Sequence, residues 1–177
     1  MKKIITIEPL KYGFKDLFEN PENLIGLLGR GVGGEYRKYC GIFSIDYDVK
    51  NLDFSNLYNE VDEKIELWKI TGEEIGLKRD ILYEELVKIL QKKEFTLAPQ
   101  GTAFWIPIGL KEQSKSFEGK MKILSKPIIN KENKPYKTMG LSLLNNKKNG
   151  LKIKGFELSL TQTLFGPIDN FVVQKMN

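Results

Sequence analysis

Two acids and a lysine alternate in IDYDVK, Ile45 to Lys50, where residue types and spacing are suited to chemistry. On a strand, side chains two positions apart share a face at about 6 to 7 Å, which puts Asp46, Asp48 and Lys50 together. Carboxylates so placed can hold a magnesium ion and orient an attacking water. A second candidate is GLLGRGVGGEYRKYC, Gly26 to Cys40, in which Gly29, Gly31 and Gly34 match the G-x-G-x-x-G spacing of phosphate-cradling loops. A third is basic: residues 111 to 154 carry twelve Lys and three Glu, while the whole chain has a net charge of only +5.

Asp48-Val49-Lys50 resembles the (D/E)xK half of the motif of PD-(D/E)xK nucleases, with Glu35 as the upstream acid. The resemblance implies a metal-dependent nuclease that uses Asp46, Asp48, Lys50 and Glu35 with magnesium. The competing reading is a strand edge whose charges block pairing with another chain.

The glycine stretch gains meaning only from its flanks. A dinucleotide fingerprint needs a strand before the glycines and a helix after them, so that the helix N-terminus meets the pyrophosphate. Here Asn20-Pro21-Glu22 predicts the start of a helix through Leu28, and the aromatic and β-branched run from Tyr36 predicts a following strand. The order is reversed. The glycines therefore read as a tightly turned connection, with Arg30, Arg37 and Lys38 as candidate anion contacts.

Composition removes several other chemistries. The chain has no histidine, which excludes Ser-His-Asp and Cys-His catalysis and His-bound zinc. Its single cysteine, Cys40, lacks the commonest activating base and reads as inert. No catalytic set, resident metal or cofactor is expected outside the nuclease alternative. The short run Ile4 to Ile7 is broken by Glu8 and Pro9, and no run approaches the roughly 20 apolar residues of a membrane span. The expected setting is cytoplasmic, or otherwise intracellular or virion-associated, without a membrane partner.

The elements that must position these groups form a single α+β domain over 1–177. Its expected core is an antiparallel, β-rich sheet or barrel-like arrangement in the C-terminal half. Two to three helices are expected, mainly in 14–28 and 56–93, with 56–93 as a possible insertion or sub-lobe. Leu57, Val61, Ile65 and Trp68 recur at helical spacing, and Asp80 is a candidate cap for a second helix bearing Ile81, Leu82, Leu86, Ile89 and Leu90. Expected strands are 3–7, 102–108, 119–125, 139–144, 151–163 and 170–175, with NNKKNG, Asn145 to Gly150, as a hairpin loop. In KMKIL and LKIKG, Lys120, Lys122, Lys152 and Lys154 alternate with apolar residues; in one sheet they would cover one face. Beyond Gly155 the apolar phase changes, which predicts a bulge there.

The favoured function is that of a non-enzymatic interaction or structural subunit in a larger protein assembly, by self-assembly or with protein partners. A virion or mobile-element accessory protein is one such setting, and FVVQKM, Phe171 to Met176, is a candidate contact strand. The alternative is nucleic-acid binding, through a winged-helix-like arrangement over 61–110 or through the lysine-rich segment 111–154. Residues 46 to 94 hold thirteen acids against eight bases, a charge that opposes the winged-helix form.

Overall fold

The computed structural model describes residues 1–7, 43–45, 64–103, 106, 119–130, 137–146 and 150–176. Ten strands and one helix are defined among them: β1 (Lys2–Ile7), β2 (Phe43–Ile45), β3 (Ile65–Thr71), β4 (Ile81–Leu82), α1 (Tyr83–Lys92), β5 (Phe95–Thr96), β6 (Gly119–Asn130), β7 (Lys137–Asn146), β8 (Gly150–Glu157), β9 (Leu164–Phe165) and β10 (Asn170–Lys175). Eight strands form one sheet in the order β1-β3-β10-β6-β7-β8-β2, with β5 also paired to β10, while β4 and β9 form a separate two-stranded ribbon.

The sheet is mixed. β10 runs parallel to β6 and β2 runs parallel to β8, whereas the other neighbouring strands described in the sheet run antiparallel. This corrects the expectation of an antiparallel sheet. It also corrects the expected place of FVVQKM, because β10 lies in the interior of the sheet between β3 and β6 and is spent on the fold.

The helical reading of the middle segment is half right. α1 forms where expected: Tyr83, Leu86 and Leu90 are buried on one stripe, Glu84 and Glu85 suit the positive end of the helix dipole, and Lys92 suits the negative end. Its N-cap position is Leu82 and has no side-chain cap, so Asp80 does not cap it. Residues 65–71, by contrast, are strand β3, and only one of the two to three expected helices is defined among the described residues. Residues 14–28 lie outside the described residues. Thr102, Ala103 and Ile106 are helical rather than part of the strand expected over 102–108.

The sheet is buried on both faces at its centre. On one face, Ile70 of β3, Phe171 and Val173 of β10 and Leu124 of β6 pack in one cluster with Tyr83, Leu86 and Leu90 of α1 and with Phe165 of β9. On the other, Leu67, Val172, Ile123, Leu141 and Ile153 are all withdrawn from solvent. The alternation of β6 is interrupted between Ile123 and Ile128, where its register with β7 slips. Pro127 sits inside that irregularity, a position where its missing N–H disrupts no ladder. The carbonyls freed there are satisfied by the segment after α1 begins: Ala98 N donates to Leu124 O at 2.7 Å and Tyr83 Oη to Ser125 O at 2.7 Å. Gln100 Nε2 lies 3.2 Å from Lys126 O and 3.1 Å from Pro127 O. Burial pushes the Tyr83 hydroxyl up to about 12, so it remains a donor throughout the neutral range.

The edges of this core are tied by carboxylates. Glu66 accepts from Lys3 Nζ at 2.7 Å and from Trp68 Nε1 at 3.3 Å, Glu74 pairs with the Met1 ammonium and accepts from Thr71 N, and Glu94 accepts from Lys175 Nζ at 2.8 Å. These partners hold all three carboxyls below their ordinary value of 4.5: Lys3 chiefly for Glu66, the Met1 ammonium chiefly for Glu74 and Lys175 for Glu94. Because the folded values are the lower ones, their stabilising contribution is present above the unfolded value and is lost as pH falls through the folded values. A thermal midpoint that is level from neutral pH down to about 5 and then falls is the expected result. Glu94→Gln should reduce that fall, and an unchanged acid slope in this variant would count against the assignment.

Candidate functional site

The lysines singled out by alternation come together. β7 lies between β6 and β8, and its residues stand opposite those of both neighbours: Lys122, Ser142 and Lys154 form one row, and Lys120, Leu144 and Lys152 form the next. Residues directly opposite across a ladder share a face, so all four lysines lie on one side of the sheet. Along each strand their spacing is about 6.6 Å, and from β6 to β8 it is about 9.5 Å.

This is also the side on which α1 packs. Leu124 follows Lys122 on β6, and Phe156 follows Lys154 on β8, each two positions further along the same face. Leu124 belongs to the buried cluster and Phe156 packs against it. A single face therefore passes from apolar residues near α1 to lysines beyond it. The change of phase at Gly155 has this cause, because the β7–β8 register runs without a slip from Asn146↔Gly150 to Met139↔Glu157. The expected bulge is absent. What makes close packing possible at the boundary is Gly140: a Cβ there would lie 2.5 Å from the Phe156 ring, which stands directly across from it.

The four lysines are not equivalent. Lys122 is a fixture of the fold. Its Nζ donates to Asp169 Oδ2 at 2.8 Å and lies 5.0 Å from the centroid of the Phe165 ring. Asp169 Oδ2 also accepts from Gly166 N at 3.0 Å, so one carboxylate oxygen joins β6 to the turn before β10. Lys120 is exposed, while Lys152 and Lys154 are half-buried and each has interactions of its own.

The remaining sequence candidates, Arg30, Glu35, Arg37, Lys38, Asp46, Asp48 and Lys50, lie outside the described residues. Among the described residues no group of three or more potential ligands of the His, Cys, Asp or Glu types is placed to hold a metal ion. The winged-helix form of nucleic-acid binding loses its first helix, since residues 65–71 form β3. No helix among the described residues is long and apolar enough to cross a membrane.

A second surface was not foreseen from the sequence. In the β4–β9 ribbon, Ile81 stands opposite Phe165 and Leu82 opposite Leu164. Ile81 and Phe165 point into the core, so alternation turns Leu82 and Leu164 outward, where they are 38% and 52% exposed. The turn that follows β9 carries Ile168, 87% exposed. That turn is pinned by backbone bonds from Gly72 N to Asp169 O at 3.0 Å and from Glu73 N to Pro167 O at 2.9 Å. The signal was Leu164 and Ile168 flanking a Gly-Pro turn, which alone does not distinguish outward from inward side chains.

The chain matches no protein-family model, no curated protein and no solved structure.

Proposed function

We propose that the chain is a non-enzymatic interaction subunit of a protein assembly, and that the β4–β9 ribbon with its adjoining turn is a contact face. The observation that carries this reading is Ile168, an almost fully exposed β-branched residue on a hydrogen-bonded turn that follows Leu164 of the outward Leu82–Leu164 pair in the chain. Apolar side chains on a pinned turn lose little freedom on association, and such preorganised anchors are suited to carry binding energy. Withdrawal of this apolar surface from water is the driving force, and the partner is a second copy of the chain or another subunit.

Light scattering of the purified chain across a concentration series, alone and with proteins that co-purify from the native source, tests the reading. Association is expected, with Leu164→Glu and Ile168→Glu each weakening it by about tenfold or more while the thermal midpoint stays near that of the parent chain. A chain that remains monomeric and binds no protein overturns the proposal. So does association that both variants leave intact.

A further inference from the structure

The residues around Leu82, Leu164 and Ile168 carry acids. Asp80 directly precedes β4, and the alternation of the ribbon puts it on the outward side with Leu82. Its carboxylate lies over Gly166, two positions from Leu164, because a Cβ at Gly166 would run into Asp80 Oδ1. Glu84 is exposed in the first turn of α1, two positions beyond Leu82. Glu73, also exposed, gives its N–H to Pro167 O beside Ile168. Resting on the contact face described above, we propose that this face receives an apolar segment of another protein flanked by lysine or arginine, and not the same face of a second copy.

The local charge supports that choice. Residues 73–85 hold five acids against two bases, a net charge of −3, and Asp169 is the only charged residue in 160–169. Several of these groups are already matched: Glu74 with the Met1 ammonium, Glu85 with Arg79 at 3.3 Å, and Asp169 with Lys122 at 2.8 Å. Among the described residues Glu73, Asp80 and Glu84 have no ion pair, and Lys78 is the one unpaired base of the segment. A second copy bound face to face would set the same patch on both sides of the contact and bring these acids together. Juxtaposed like charges oppose that pairing, whereas basic residues flanking an apolar segment meet opposite charge. The apolar anchors then carry the binding energy and the acids select the partner.

The test is fluorescence anisotropy of short labelled peptides titrated with the full chain: one of leucines and lysines, one of leucines and glutamates, and one of serines and lysines. The leucine–lysine peptide is expected to bind about fivefold or more tighter than either of the others at about 50 mM salt, and its margin over the leucine–glutamate peptide should narrow as salt is raised. Leu164→Ser and Ile168→Ser remove apolar surface without changing charge, and each should weaken this binding by about fivefold or more at an unchanged thermal midpoint. Asp80→Asn combined with Glu84→Gln should reduce the preference for lysine over glutamate by about half or more, whereas Glu94→Gln, beyond the other end of α1, should preserve it. Binding that both serine variants leave intact lies elsewhere and overturns the proposal, as does a preference that the Asp80 and Glu84 changes do not move. Equal binding of the leucine–lysine and leucine–glutamate peptides, lost for both in Leu164→Ser, overturns the basic partner while the contact face stands. A chain that associates with no protein in the scattering series overturns the contact face and this inference with it.

Discussion

Gly72→Ala is expected to destabilise the protein by about 3 to 5 kcal/mol, a large effect for one added methyl group. A Cβ on Gly72 would lie 2.2 Å from Gly166 O, 2.7 Å from Pro167 Cα and 2.8 Å from Pro167 O. All three are main-chain or ring-constrained atoms, so no side chain can rotate away to relieve the contact. The two turns must part, and with them go the bonds from Gly72 N to Asp169 O and from Glu73 N to Pro167 O. Overpacking of a tight site costs about 1 to 3 kcal/mol, and each lost hydrogen bond adds about 1 kcal/mol. Gly76 is the natural comparison. It has a φ of 90° with no atom within 4 Å of its would-be Cβ, so Gly76→Ala incurs conformational strain alone, about 1 to 2 kcal/mol. Urea unfolding of the two variants measures both effects. Gly72→Ala proving no more costly than Gly76→Ala would show that the two turns do not depend on close approach.

The errors in reading elements from sequence have definite physical origins. β3, IELWKIT, is covered on both faces, so Ile65 and Leu67 point one way while Trp68 and Ile70 point the other. A strand covered on both faces has no clean alternation, and the interval of three from Ile65 to Trp68 fits a helix equally well. The segment at Thr102 fails for the opposite reason: its aromatic and β-branched composition favours a strand, but the turn at Pro99, in which Thr102 N donates to Pro99 O at 3.0 Å, leads into helical residues. Where one face of a strand is polar, the period of two is legible. β6 and β7 fall where alternation and the Asn145 to Gly150 turn signals put them, whereas β8 ends at Glu157, short of the strand expected over 151–163, and β10, although it forms over the expected 170–175, is buried on both faces.

The candidate site follows the same division. Alternation was enough to place Lys120 and Lys122 on one side of β6, and Lys152 and Lys154 on one side of β8, and the hairpin signal brought β7 and β8 together. What alternation could not show is that the face they share also packs against α1. Nor could it show the Lys122–Asp169 pair, whose members are 47 residues apart. That pair depends on the parallel alignment of β6 with β10, in which Phe171 stands beside Lys122 and so brings Asp169 within reach. A parallel neighbour is made by a crossover connection, and local sequence pattern carries no record of which strand it will meet.

Phe165→Ala is the second large effect, at about 3 to 5 kcal/mol, because it empties a fully buried aromatic site. The ring lies 6.1 Å from Tyr83 and 5.9 Å from Phe171, both in tilted geometry, and it carries Lys122 Nζ above it. Phe165→Leu keeps most of the apolar volume and should cost less than Phe165→Ala, so the difference between the two reports the cavity. The cationic contact is separable by a double-mutant cycle of Phe165→Leu with Lys122→Met, for which a coupling of about 0.5 to 1 kcal/mol is expected. No coupling would mean that Lys122 is held by Asp169 alone. Phe165 also underlies the contact face, because Leu164 beside it faces outward on the ribbon. Phe165→Ala should therefore weaken protein association together with stability, whereas Leu164→Glu should weaken association alone. A Leu164→Glu protein whose thermal midpoint falls as far as that of Phe165→Ala would show that Leu164 belongs to the core and not to the contact face.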